Sequence, residues 1–353
     1  MGGPRPQDGA AVIVLRSGPV SVRFEQRTVR MTVVLVVLAA ALAVLGLCQG
    51  AVWVTPGEVL AALAGQGDSS VIVVQWRLPR VVGALVFGAA LALAGAVIQD
   101  QTRNPLGSPD MLGIDAGAYT GALLVITGFG SAAAAMPGLL SVAAMAGGLL
   151  TALLVYGLSL RSRNRGKLIV VGIAVNATLT AINAWIVLRA ELEVAIAATG
   201  WSAGSLNGLG WDDLGIPLVV LGVLAGTLVV LSRSMNQATI GDEVAVATGV
   251  RLGPLRLVTV LAAVGCTTTV TAVTGPIAFI ALAAPQIGKR LFGTSGVGLL
   301  PAALTGGVLL LTADVTSQLV LAPIGLPVGV MTTAIGGTYL LWLLIVQVRR
   351  RTH

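Results

Sequence analysis

The feature that most limits what this chain can fold into is a succession of stretches, each about twenty residues long, with no polar face. A helix at a protein–water boundary carries an apolar stripe and a polar opposite side. Segment 31–49 (MTVVLVVLAAALAVLGLCQ) has no such side, and 81–100 (VVGALVFGAALALAGAVIQD) offers polar groups only at its end. A membrane-crossing helix needs about 20 predominantly apolar residues. Ten segments fit: 31–49, 81–100, 111–129, 137–159, 168–188, 214–232, 255–274, 276–291, 298–321 and 326–347. The third and eighth are interrupted or flanked by Gly, Pro or a charged residue. The expectation is an all-α integral membrane protein of ten transmembrane helices. Residues 1–30 form a cytoplasmic tail, 31–353 one membrane domain, and 348–353 a short second tail.

Composition agrees where it is needed. Charged residues are 10% of the chain, against roughly 25% in soluble domains. The 46 glycines suit helices packed closely in lipid, where small side chains let backbones approach. Net charge is +7, and its placement decides its meaning. With the N-terminus inside, the inner segments hold Arg5, Arg16, Arg23, Arg27, Arg30, Arg103, Arg161, Arg163, Arg165, Lys167, Arg233, Arg251, Arg256, Lys289, Arg290 and Arg349 to Arg351, which is 18 of the 21 cations. Only Arg77, Arg80 and Arg189 fall outside. This positive-inside bias supports an even number of spans with both termini in the cytoplasm, in a multi-pass protein in contact with lipid, and turns the basic charge away from a nucleic-acid role. Dropping one span would invert everything after it and destroy the bias.

Catalytic and metal chemistry find little to stand on. Cys48 and Cys266 lie in apolar stretches and read as small packing residues. The only histidine is the terminal His353, so neither a histidine-based metal site nor a Ser–His or Cys–His pair is available. No GxxxxGK[ST] string occurs; the Gly-Lys pairs at 166–167 and 288–289 lack the glycine spacing and the hydroxyl residue. The chain therefore reads as a non-enzyme without a cofactor of its own, and any ATP and Mg would sit on another polypeptide.

Two connections exceed a turn. Outside, 189–213 carries Trp201, Trp211 and several glycines, and suits an interfacial half-helix with the tryptophans at headgroup depth. Inside, Asp242 and Glu243 open a run, DEVAVATGV, that reads as a short helix ending near Gly249, since acidic residues favour a helix start and Gly the position past its end. A second short helix is expected at Leu252–Arg256.

Four strings then become recognisable, in order: RLPRVVGALVFGAALALAGAVIQDQTRNPLGSPDMLGIDAGA (77–118), ATIGDEVAVATGV (238–250), GPIAFIALAAPQIGKR (275–290) and LPVGVMTTAIGGTYLLWLL (326–344). They resemble the FecCD-type permeases of ABC importers for iron-siderophore, haem and cobalamin, from about residue 31 to the end. The resemblance implies the ten-span cobalamin/siderophore (type II) importer fold. It also implies two cytoplasmic ATPase subunits, a second permease (homologous or identical), an external binding protein, and an iron-siderophore or related metal chelate as cargo. Carried over by motif, Arg77 and Arg80 would face acidic residues of the binding protein; simple interfacial anchoring is the other reading. Gly241, Asp242, Glu243, Ala245 and Gly249 would form the coupling helix set in a cleft of the ATPase, against a plain solvated loop. Arg103, Asn104, Pro105, Gly113, Pro285, Pro327 and Gly329 belong to the structural motif. Departures occur where the family usually has His (here Gln286), Arg four residues after the ninth-span Asp (here Gln318, after Asp314) and Glu before Leu-Pro-Val-Gly (here Gly325).

Polar residues inside the membrane are costly and usually face the protein interior. Asn176, Thr180 and Asn183 share one face of the fifth span; they either line the translocation path or hydrogen-bond helix to helix. Asp314 is either an interhelical acceptor or part of a relay. Thr267, Thr268, Thr269 and Thr271 read as packing and backbone-bonding groups, and Asp115 as the cap of a broken helix. The competing function is an ion-gradient-driven secondary transporter of a polar solute, which would need more intramembrane ionisable groups than this chain offers.

Overall fold

The computed structural model describes residues 12–17, 20–50, 52–67, 69–130, 132, 137–160, 166–294, 296–320 and 325–351. Each of the ten segments is a helix. α1 (Gln26–Cys48) precedes a short α2 (Pro56–Leu63). A seven-residue π-helical stretch, Val71–Arg77, runs directly into α3 (Leu78–Thr102). A 3₁₀ turn, Asp110–Leu112, leads to α4 (Ile114–Phe129), α5 (Pro137–Leu160) and α6 (Gly166–Arg189). The half-helix α7 (Leu192–Ser202), α8 (Trp211–Ile240) and the six-residue α9 (Asp242–Ala247) follow. α10 (Leu252–Thr274), α11 (Ile280–Phe292), α12 (Leu299–Val320) and α13 (Val328–Arg351) complete the bundle.

Seven helical stretches among the described residues are long and apolar enough to cross a membrane: Gln26–Cys48, Val71–Thr102, Gly138–Ser159, Ile169–Arg189, Trp211–Ile240, Leu252–Thr274 and Leu299–Val320. At 1.5 Å per residue, α4 spans about 24 Å and α11 about 20 Å, short of the ~30 Å hydrocarbon core. These are the third and eighth segments. The expected short helix at Leu252–Arg256 is instead the first part of α10, which runs unbroken to Thr274. The N-terminal tail adds an antiparallel hairpin of β1 (Val12–Ser17) and β2 (Val20–Glu25) in register Val12↔Glu25 to Ser17↔Val20. Arg5, Arg161, Arg163 and Arg165 lie outside the described residues.

The centre of the bundle is α3, against which α10, α11 and α12 pack. From Ala90 to Gln99 every residue of α3 is buried. Glycines make this possible. A Cβ on Gly88 would strike the Gly306 carbonyl of α12, and one on Gly95 the Ala281 carbonyl of α11. Small residues thus bring backbones into direct contact. The outer helices are inverted relative to a soluble protein: Val230 on α8 is 79% exposed and Leu188 on α6 85%. Apolar surface on that scale belongs against lipid or another subunit.

Candidate translocation and coupling site

One end of the bundle carries the coupling segment. α9 is set between Gly241 and Gly249, and Gly249 adopts φ 87°, a left-handed value that glycine takes without steric cost. Ala245 is fully buried, while Glu243, Val244 and Val246 face outward. The Asp242 carboxylate accepts Arg256 Nη2 at 2.7 Å and Arg103 Nη2 at 3.4 Å. Arg103 closes α3 with φ 49°. The Asn104 side chain accepts the Leu106 N–H at 2.9 Å across Pro105, an Asx turn that directs the chain away from the helix. Arg27, at the start of α1, donates to the Leu291 and Arg290 carbonyls at 2.9 and 2.7 Å and so caps α11. The cations of α1, α3, α10 and α11 therefore gather at one end, beside α9.

At the other end Arg77 and Arg80 are engaged inside the chain. Arg77 donates to the Leu47, Cys48 and Val52 carbonyls at 2.8, 2.9 and 2.6 Å, satisfying the C-terminal turn of α1. Arg80 makes a two-pronged ion pair with Asp314 of α12, with Nε and Nη2 2.8–3.0 Å from the carboxylate oxygens. Gln318 Nε2 adds a bond to Asp314 at 3.0 Å. Asp314 is thus an interhelical acceptor whose cation comes from α3, and Gln318 supplies a neutral donor. Arg189, the third cation expected outside, lies 5.4 Å from the Trp185 ring centroid.

Between the two ends, several helices break. Gly113 (φ 76°) starts α4 against the Asn176 backbone, Gly275 (φ 72°) ends α10 against the Trp201 carbonyl, and Gly329 of α13 packs on the Ala203 carbonyl. Phe279 takes φ 68° ahead of α11, uncommon for a residue with a side chain. Pro285 is buried within α11, and Pro327 precedes α13. Asp115 does not cap α4; its Oδ1 accepts the Thr271 hydroxyl at 2.9 Å. Thr267 and Thr268 bond back to the Ala263 and Val264 carbonyls, as expected of hydroxyls in a helix. Trp201 stacks on Tyr119 at 5.9 Å, and Trp211 Nε1 donates to the Val74 carbonyl at 2.8 Å. Both tryptophans of this connection therefore also make contacts within the chain.

The polar face of α6 divides. Asn183 is buried, accepts the Thr120 hydroxyl at 2.8 Å and donates to the Ala116 carbonyl at 3.0 Å, so it joins α6 to α4. Asn176 sits half-buried over Gly113, and Thr180 is exposed. One interaction had no sequence signal: Gln286 Nε2 donates to Gln99 Oε1 at 2.6 Å, and Gln99 Nε2 to the Leu282 carbonyl at 3.0 Å. Two neutral amides here link α11 to α3. Among the described residues no group of three His, Cys, Asp or Glu side chains is placed to hold a metal.

The arrangement is that of known transport proteins. The FecCD transport family matches residues 35–346. The chain is 43% identical to the ferric enterobactin transport system permease protein FepG of Escherichia coli (strain K12), covering 93% of this chain and 99% of that protein. It is 33% identical to the Fe(3+)-citrate import system permease protein YfmE of Bacillus subtilis (strain 168), over 93% and 98%. It is also 33% identical to the vitamin B12 import system permease protein BtuC of Salmonella typhi, over 92% and 98%. A solved inward-facing metal-chelate type ABC transporter superposes with TM-score 0.76 at 25% identity, covering 90% of this chain and 99% of that one. A family match across nearly the whole chain, with relatives matched end to end, settles the class: the chain belongs to the FecCD transport family.

Proposed function

We propose that this chain is the membrane-spanning permease subunit of an ATP-binding-cassette importer that brings a ferric siderophore into the cytoplasm. The observation that carries the cargo class is the 43% identity, end to end, with a ferric enterobactin permease. Ten helices cross the membrane, with both termini and α9 in the cytoplasm. Supporting that orientation, Arg27, Arg103, Arg256 and Arg290 lie at the α9 end. A pair of ATPase subunits bears on α9 through the outward-facing Glu243, Val244 and Val246. ATP hydrolysis belongs to those subunits. A second permease covers the exposed side of α6 and encloses the path, which Thr180 lines. The external binding protein docks at the opposite end, with Arg77 and Arg80 bracing that surface from within.

The test is reconstitution of the chain with its ATPase and permease partners and its binding protein, offered ferric enterobactin, ferric citrate and vitamin B12. ATP-dependent uptake of ferric enterobactin is the expected result. Uptake of vitamin B12 alone would move the cargo assignment, and uptake of none would overturn it.

A further inference from the structure

Asp242 stands at the first position of α9, yet its carboxylate turns back into the chain. It reaches Arg256 of α10 at 2.7 Å and Arg103, at the end of α3, at 3.4 Å. With Asp100, Gln101 and Leu255 these three side chains line a small open pocket of about 20 Å³, room for about one water molecule. Arg103 sits on a fixed corner, held by the left-handed turn that ends α3 and by the Asn104 Asx turn after it.

Stability does not account for this arrangement. Arg103, Asp242 and Arg256 are 54%, 41% and 35% exposed, and ion pairs that open to water contribute about 0–1 kcal/mol each. What the pairs fix is direction. α9 is only six residues long and is bounded by glycines, with Gly241 towards α8 and Gly249 shortly before α10. Held only by its chain ends and by buried Ala245, so short a helix could pivot under load. Two guanidiniums from two different helices remove that freedom. α3 and α10 pack on each other, and α10 carries Thr271 to Asp115 at the central helix breaks.

We propose that Asp242 is a positioning residue that hitches α9 to α3 and α10, so that a push on α9 moves both helices instead of turning α9 on its glycines. This rests on the reading of α9 as the ATPase-bearing helix. Its neighbour Glu243 faces outward and is the internal control, because it serves contact with the partner and not the hitch.

The experiment uses the assembled importer in proteoliposomes and reads ferric enterobactin imported per ATP hydrolysed, together with co-purification of the ATPase. Asp242→Asn should keep the ATPase bound and lower the import-to-hydrolysis ratio at least tenfold. Arg103→Gln with Arg256→Gln should match it, and Asp242→Glu should restore most of the ratio. Glu243→Gln should weaken co-purification instead. A wild-type ratio in Asp242→Asn overturns the inference, as does loss of the ATPase from that variant, which would make Asp242 a direct contact. If the wild-type chain binds no ATPase, the reading of α9 falls first and the inference with it.

Discussion

Replacing Arg80 by Met isolates the most consequential polar contact between two helices. The Asp314 side chain is 1% exposed and the Arg80 side chain 18%. Without Arg80, the carboxylate keeps Gln318 Nε2 as its neighbouring side-chain donor and has no route to water. Removing one partner of a buried pair costs about 3–5 kcal/mol, because the other charge is left uncompensated. The reverse change, Asp314→Leu, should cost less. Arg80 lies near the α3 end and can extend its head toward water while its stem stays packed, so the loss is about 1.5–3 kcal/mol, that of hydrogen bonds to a charged group. Arg80→Met with Asp314→Leu removes both charges and should return to within about 1–2 kcal/mol of wild type, since apolar replacement of a buried pair is often neutral. An ordinary interhelical hydrogen bond in lipid averages only about 0.6 kcal/mol, so the outcomes are well separated. The assay is reversible unfolding in mixed micelles, read as a double-mutant cycle. Arg80→Met costing under about 1 kcal/mol, or a double variant whose loss equals the sum of the singles, would refute the reasoning.

Other consequences follow from the packing and the polar contacts. Gly306→Ala puts a methyl group against the Gly88 carbonyl and Ala92 Cβ; overpacking of about 1–3 kcal/mol should lower the melting temperature of the purified chain. Asn183→Leu removes the bonds to Thr120 and Ala116 and should cost about 0.6–2 kcal/mol in the same unfolding assay. Thr180→Leu should leave stability unchanged and reduce uptake, because Thr180 is exposed on α6. Glu58 accepts the Thr55 backbone N–H and then its hydroxyl, which holds its carboxyl below the usual glutamate range. Its contribution to the α2 cap is present above that range and lost as pH falls through the lowered value. Hydrogen exchange of α2 amides should therefore lose protection at acid pH in the wild type but not in Glu58→Gln.

What could be read from the sequence was whatever depends on period and composition. All ten apolar segments are helices, and the short α4 and α11 are the third and eighth, which Gly, Pro or a charged residue interrupts or flanks. The acidic start of α9 and the glycine after it were legible because helix ends obey local rules. Pairings across the fold were not. Arg80 and Asp314 are 234 residues apart, and Gln99 and Gln286 are 187 apart; nothing local marks them as partners. The inward turn of Asp242 was hidden for the same reason, since its two cations come from different helices. The spacing of Asn176, Thr180 and Asn183 was legible, but 3.6-residue periodicity cannot say which neighbour meets each residue. Only packing shows that Asn183 meets α4 while Thr180 stays open.

The central claim is that this chain supplies a passage whose energy comes from ATP hydrolysed by other subunits. It is tested most directly by ferric enterobactin uptake into proteoliposomes holding the permease, with and without the ATPase, in ATP and in an imposed proton or sodium gradient. The account predicts uptake only when ATPase and ATP are both present, with the gradients having no effect. Gradient-driven uptake without any ATPase would contradict it and make the protein a secondary transporter.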